Sequence, residues 1–119
     1  MFRNVRLVYV TTKDRDEARA IGTAVVQEKL AACANIIDGM ESIYQWEGNV
    51  KTANESVLIL KTTYNNITKL TRRIKELHSY DVPAIVSINL AEQEGNSQYL
   101  DWVVQSVLRP IQPDEDIFI

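Results

Sequence analysis

A single cysteine, Cys33, stands in 119 residues, so no disulfide can close within the chain. That suits a compartment where thiols stay reduced, and a cytoplasmic protein is the expectation. Glycine occurs only four times, at Gly22, Gly39, Gly48 and Gly95, and none of these has Walker or Rossmann spacing. No organic cofactor held in a phosphate cradle is expected. One histidine, His78, is present, so any mechanism that needs an imidazole must use it. No apolar run approaches the roughly 20 residues that span a bilayer. The start, Met1-Phe2-Arg3-Asn4, lacks a signal peptide's apolar core and small-residue cleavage site. Basic charge is in the minority: 13 Lys and Arg against 16 Asp and Glu leave a net charge of −3. A nucleic-acid module usually carries a basic face, so neither nucleic acid nor membrane is an expected partner. The densest basic group, Lys69, Arg72, Arg73 and Lys75, lies away from the apolar face of its helical pattern and reads as a solvated face.

What is there is ordinary globular composition, 45% hydrophobic and 24% charged, at the commonest size of one domain. Residues 1–119 are read as a single domain. Residues 5–12, VRLVYVTT, are β-branched and aromatic and predict a first strand. Asp14 with Glu17 three residues on resembles a capping box. Behind it Ala18, Ile21, Gly22, Val25, Val26 and Leu30 recur at helical spacing, which predicts a helix to about Ala32. From Cys33 to Glu47 the chain reads as extended, with a bend or bulge at Asp38-Gly39. The next strand runs from Glu55 to Thr63, where Val57, Leu58, Ile59 and Leu60 are apolar on both faces, implying cover on both sides. Gly48-Asn49 and Lys51-Thr52-Ala53-Asn54 both suit the hairpin tip, and the sequence does not choose between them.

Asn65 and Asn66 are placed to cap a second helix whose stripe is Ile67, Leu70, Ile74 and Leu77. Pro83 biases Val82 away from helix, and Ala84 to Leu90 follows as a fourth strand. A third helix after Gly95-Asn96-Ser97 carries Leu100, Val103, Val104, Val107 and Leu108, closed by Pro110 and Pro113. The tail, residues 114–119, is read as a short edge strand or a frayed end. The order β-α-β-β-α-β with a C-terminal helix defines the expected class: α+β, a ferredoxin-like sandwich with an extra helix. Two helices bury one sheet face, and the C-terminal helix covers part of the other. A partner subunit is expected over the remainder.

Candidate chemistry is thin. Cys33 is a possible thiolate or soft metal ligand, yet it sits between alanines, where a small buried residue would serve equally well. His78, with Tyr80 and Asp81 close in sequence, suits a metal ligand or a proton shuttle, and equally a helix C-terminus. No nucleophile motif surrounds Cys33 and His78, and no catalytic residue is assigned. Glu47, Asp81, Glu92 and Glu94 are acids near loops or strand ends, and Lys61 follows a buried strand, where structural pairing is the simpler role.

Five stretches together resemble the CutA family of divalent-cation tolerance proteins. They are residues 28–36 (EKLAACANI), 42–48 (SIYQWEG), 60–63 (LKTT), 78–83 (HSYDVP) and 99–102 (YLDW). The resemblance implies a very stable homotrimer in which each subunit's long hairpin extends a neighbour's sheet, which removes an exposed edge. It implies a role in tolerance of copper and other divalent cations, with weak Cu(II) or other divalent cation binding at His78, helped by Cys33 or Asp81. It also offers an alternative: a PII-like regulatory trimer taking a small anion or partner protein in inter-subunit clefts lined by Tyr44, Trp46, Lys61, Tyr80 and Trp102. The chain departs from the family at Val10, Leu77 and Ala84, where some members carry Cys, His and Glu. In SIYQWEGNV, Tyr44 and Trp46 share a face, and a lone subunit has little surface to bury both. Tyr44, Trp46, Glu47 and Gly48 are therefore expected at the trimer interface, with Gly48 allowing a bulge or close backbone approach.

Overall fold

The computed structural model describes residues 3–108. The elements are β1 (Val5–Thr12), α1 (Arg15–Gln27), β2 (Cys33–Trp46), β3 (Asn49–Thr63), α2 (Ile67–Leu77), β4 (Ile85–Asn89) and α3 (Ser97–Ser106). The strands form one antiparallel sheet in the order β2-β3-β1-β4. At that level the α+β expectation holds.

Period-2 alternation sets the two faces. Val8 and Val10 of β1 lie opposite Leu60 and Leu58 of β3, and all four are buried under Ala18, Ile21 and Val25 of α1 and Leu70 and Ile74 of α2. Each such aliphatic side chain contributes roughly 1.5–3 kcal/mol by leaving water. Gly22 belongs to this contact: a Cβ there would lie 3.1 Å from Ala34 Cβ, so alanine would need its neighbours on β2 and β3 to give by a few tenths of an ångström.

Asp14 caps α1 through its Oδ1, which accepts from Glu17 N at 2.8 Å. The returning arm of the box falls one residue early: Lys13 N donates to Glu17 Oε1 at 3.0 Å. The helix ends at Gln27, not near Ala32. Lys29 takes a left-handed φ of 60°, and the N–H groups of Leu30 and Ala31 both turn back to Val25 O. Leu30 and Ala31 remain in the core, so the apolar spacing runs on after the helix has stopped. The expected Asn cap on α2 is also corrected. Tyr64–Asn66 form a 3-10 turn, and the Asn66 amide donates to Thr63 Oγ1 at 2.9 Å instead of capping.

The hairpin tip is Glu47-Gly48, with Trp46 paired to Asn49 and φ values of 51° and 80° at the two turn residues. Two positive φ angles make this a type I′ turn, the hand that matches strand twist. Lys51–Asn54 lie inside β3, and β3 begins at Asn49 rather than Glu55. Gly48 is a turn residue and not a bulge, and nothing approaches its Cβ position within 4 Å. The bulge is where the sequence places it, at Asp38-Gly39, between the paired residues Ile37 and Met40. β1 pairs with β3 only over Ser56–Thr63. Residues 40–46 and 49–55 therefore project as a two-stranded arm, about 23 Å long at 3.3 Å per residue. β4 is one residue shorter at each end than expected, and Leu108 lies beyond α3 and is exposed. Pro110, Pro113 and the tail lie outside the described residues.

On the second face, Leu100 and Val103 of α3 pack on Val5 with Ala32 and Leu90. Val57 is 7% exposed, so the central strand is covered on both sides at its middle. Two cross-strand rows of this face stay partly open. One runs Asn35, Ile59, Tyr9, Val86 and the other Cys33, Lys61, Leu7, Ile88. Val86 is 52% and Ile88 44% exposed.

Candidate functional site: the His78 loop and the hairpin arm

The α2–β4 loop carries most of the chemistry-bearing residues, and it begins at His78. The His78 side chain is fully buried, and both ring nitrogens are engaged by backbone. Nε2 lies 2.8 Å from Thr11 O, an acceptor only, so Nε2 carries the proton. Nδ1 accepts from Tyr80 N at 3.0 Å, so that nitrogen is bare. α2 stops before Pro83, and the imidazole supplies partners for the Tyr80 N–H of the turn and for the Thr11 carbonyl at the end of β1.

Beside it lies Glu17, whose Oε1 is 3.9 Å from His78 Nδ1 and whose Oε2 accepts from Ser79 N at 2.8 Å. Burial raises the Glu17 pKa. Hydrogen bonds from the Ser79 side chain and from Lys13 and Ser79 N–H, with His78 nearby, outweigh it and hold the carboxyl below its ordinary value. Tyr80 stacks at a tilt on the imidazole, 4.8 Å between centroids, and its hydroxyl donates to Glu55 Oε2 at 2.8 Å. Burial, then the Glu55 carboxylate, push the Tyr80 hydroxyl up to about 12, so it remains a donor at neutral pH.

A cleft of about 560 Å3 opens between this loop and the arm, with Tyr44, Trp46 and Lys51 on one wall and Thr11, Tyr80 and Asp81 on the other. Of the expected cleft residues, Tyr44, Trp46 and Tyr80 meet here. Lys61 and Trp102 do not. The Lys61 ammonium lies 5.2 Å from the centroid of Tyr99, which stacks on Trp102 at 5.6 Å, beside α3. A hydrogen bond to Tyr99 raises the Lys61 pKa against the effect of burial, with Cys33 adding to the rise.

The expected metal set is also divided. Cys33 sits in the open-face row with Lys61 and Leu7, whereas His78 bonds the carbonyl of Thr11. Leu7 and Thr11 are four positions apart on β1, roughly 13 Å along the strand alone. Asp81 is exposed on the cleft rim. Among the described residues no group of three or more His, Cys, Asp or Glu is placed to share an ion. The residues of one subunit therefore do not fit a preformed copper site. Glu17, Glu55 and Tyr99 are the residues sequence reasoning passed over. Tyr99 lay within a recognised stretch, but Glu17 looked like a helix cap and Glu55 like a strand end.

This arrangement defines a class: an α+β subunit with a four-stranded antiparallel sheet, a long arm and a histidine-locked loop. The family profile described as CutA1 divalent ion tolerance protein matches residues 6–106, and the chain belongs to that family. It is 46% identical over 97 residues to the divalent-cation tolerance protein CutA of Thermus thermophilus, covering 82% of this chain and 92% of that one. A solved structure of the Thermus thermophilus divalent cation tolerance protein superposes with a TM-score of 0.82 at 44% identity, covering 86% of this chain and 97% of that one. A chloroplastic CutA of Arabidopsis thaliana is 40% identical over 100 residues, 84% of this chain but 54% of its own length. The chain thus spans about half of that plant relative. A solved structure described as the periplasmic divalent cation tolerance protein CutA of Archaeoglobus fulgidus gives a TM-score of 0.82 at 32% identity, over 87% of this chain and 99% of that one. Among the described residues no helix is long and apolar enough to cross a membrane.

Proposed function

We propose that the protein acts in divalent-cation tolerance as a cytoplasmic homotrimer of ferredoxin-like subunits, joined by strand extension through the arm, and that it is not an enzyme. The observation that carries the assembly is apolar surface that one subunit leaves in water. It comprises Val86 and Ile88 on the open sheet face, beside the half-buried Tyr9 and Ile59, and Ile43 and Val50 on the arm, 67% and 69% exposed. The strand order and the two helices on one face support the ferredoxin-like reading. Tyr44, Trp46 and Glu47 lie on the exposed arm, consistent with an interface there. Light scattering should return three times the 13.6 kDa subunit mass.

Cation binding in this reading is weak and favours Cu(II). His78 has to surrender the Tyr80 amide before Nδ1 can ligate, and Asp81 is the nearby exposed carboxylate. Cu(II) and Zn(II) titration of the parent beside His78→Ala and Asp81→Asn tests this. Cu(II) affinity should fall in both variants; a His78→Ala protein that binds as the parent does places the ion elsewhere.

The aromatic cleft favours a second reading, a PII-like trimer that takes a small ligand between arm and loop. A thermal-shift screen of anions and nucleotides separates the two, since a ligand of the native state raises apparent stability by mass action.

A further inference from the structure

We propose that a small polar pocket, at the opposite end of β1 from the arm, binds a tetrahedral oxyanion: inorganic phosphate or the phosphoryl group of a small metabolite. The alternation that buries Val8 and Val10 under α1 and α2 puts Arg6 on that same face of β1, and Asn89 of β4 is its strand partner. These two, with Asn4, Leu90, Glu92 and Gln93, line a cavity of about 280 Å3. Ordinary ligand sites hold about 300–1,000 Å3, so this one suits a small ion or acid rather than a nucleotide. Arg6 stands six positions from Thr12, the last β1 residue paired before the arm begins, roughly 20 Å along the strand. It also faces the helix side of the sheet, opposite the partly open rows that hold Tyr9 and Leu7. The pocket is therefore separate from the arm and from the face proposed to join subunits, and the inference stands independently of that assembly.

The lining chemistry selects an anion. Arg6 Nη1 donates to Val5 O at 3.2 Å, and the guanidinium lies 5.4 Å from the centroid of the Tyr64 ring, which steadies it. The rest of its N–H fork has no protein acceptor, and Arg6 enters none of the ion pairs among the described residues. The one acid in the lining, Glu92, is buried and already committed: its two oxygens accept Arg3 N–H at 3.1 Å and Val5 N–H at 3.2 Å. A cation would thus meet an unpaired guanidinium and no free carboxylate. The side-chain amides of Asn4, Asn89 and Gln93 bond no other described residue and supply further donors. A carboxylate ligand would have both oxygens taken by the guanidinium fork alone. Only an ion with more oxygens can use the amides as well, and phosphate is that ion. The Glu92 charge opposes any anion here, so the affinity is modest, in the millimolar range.

Titration of the isotope-labelled full chain with inorganic phosphate, against chloride at equal ionic strength, is read by NMR on the side-chain amide and guanidinium resonances. Those of Asn4, Asn89, Gln93 and Arg6 should move together and saturate. Glycerol phosphate run alongside separates the two sources: saturation by either supports the site, and the tighter one names the natural form of the ligand. Arg6→Gln should weaken phosphate binding about tenfold or more, the worth of a charge-assisted contact. Arg6→Lys keeps the charge without the fork and should fall between. Asn89→Asp is isosteric at an exposed strand position and should abolish binding while circular dichroism stays that of the parent. That variant decides the matter even if Arg6→Gln disturbs the fold. Shifts that never saturate overturn the site, as does parent-like affinity in Asn89→Asp. Acetate binding as tightly as phosphate overturns the tetrahedral assignment. Shifts centred on the Trp46 indole put the anion in the arm cleft and overturn it too.

Discussion

Burying the Glu17 carboxylate beside the His78 ring costs desolvation, and the N–H groups of Lys13 and Ser79 offset that cost. The balance leaves its native pKa below the ordinary 4.5. The unfolded chain therefore binds more protons than the native one as pH falls from 4.5 toward the native value. The stability Glu17 contributes is complete above the unfolded pKa and is lost as pH falls through the native one. Glu17→Gln keeps the size and removes the charge, and its one carbonyl oxygen serves only one of two N–H groups well. The variant should lose about 1–3 kcal/mol at neutral pH. Its urea midpoint should converge on the parent's as pH falls from the unfolded carboxyl's 4.5 through the lower native value. A gap that stays constant over that range would show that the carboxylate's charge is not what holds the loop.

Among the elements, the arm was the least legible in the sequence, for a physical reason. Val8, Val10, Leu58 and Leu60 each bury one side of a strand, and that alternation shows directly in the residue pattern. Lys51, Thr52 and Asn54 are in a strand that has solvent on both faces, so polarity signalled nothing about whether the chain turned there. The loop chemistry was half legible. His78 stood out as the one imidazole, but its use depends on Thr11, 67 residues away, and Glu17 meets Ser79 across 62. No local pattern records such pairings. The turn itself now makes a prediction. Glu47 holds a φ of 51°, a conformation that Asn tolerates better than Glu, and Asn-Gly is the favoured pair for a type I′ turn. Glu47→Asn should stabilise the protein by about 0.5–1 kcal/mol in urea unfolding. A lower midpoint would argue that Glu47 makes a contact outside the subunit that outweighs its backbone strain.

At the scale of the whole molecule, the open sheet face is what tests the proposed assembly. Val86 sits beside Tyr9, which sits beside Ile59, in a row that α3 does not reach. A carboxylate at Val86 facing water would change stability by no more than about 0.5 kcal/mol, as surface substitutions generally do. Buried between subunits without a partner, the same charge costs several kcal/mol, enough to dissociate an assembly. Val86→Asp therefore reads the environment of the face directly. Light scattering should show the parent's mass falling to that of the 13.6 kDa subunit. Circular dichroism should keep its strand and helix content, because the core under α1 and α2 lies on the other face. A variant that keeps the parent's mass and stability places Val86 in solvent, and the proposed assembly would then rest on the arm alone.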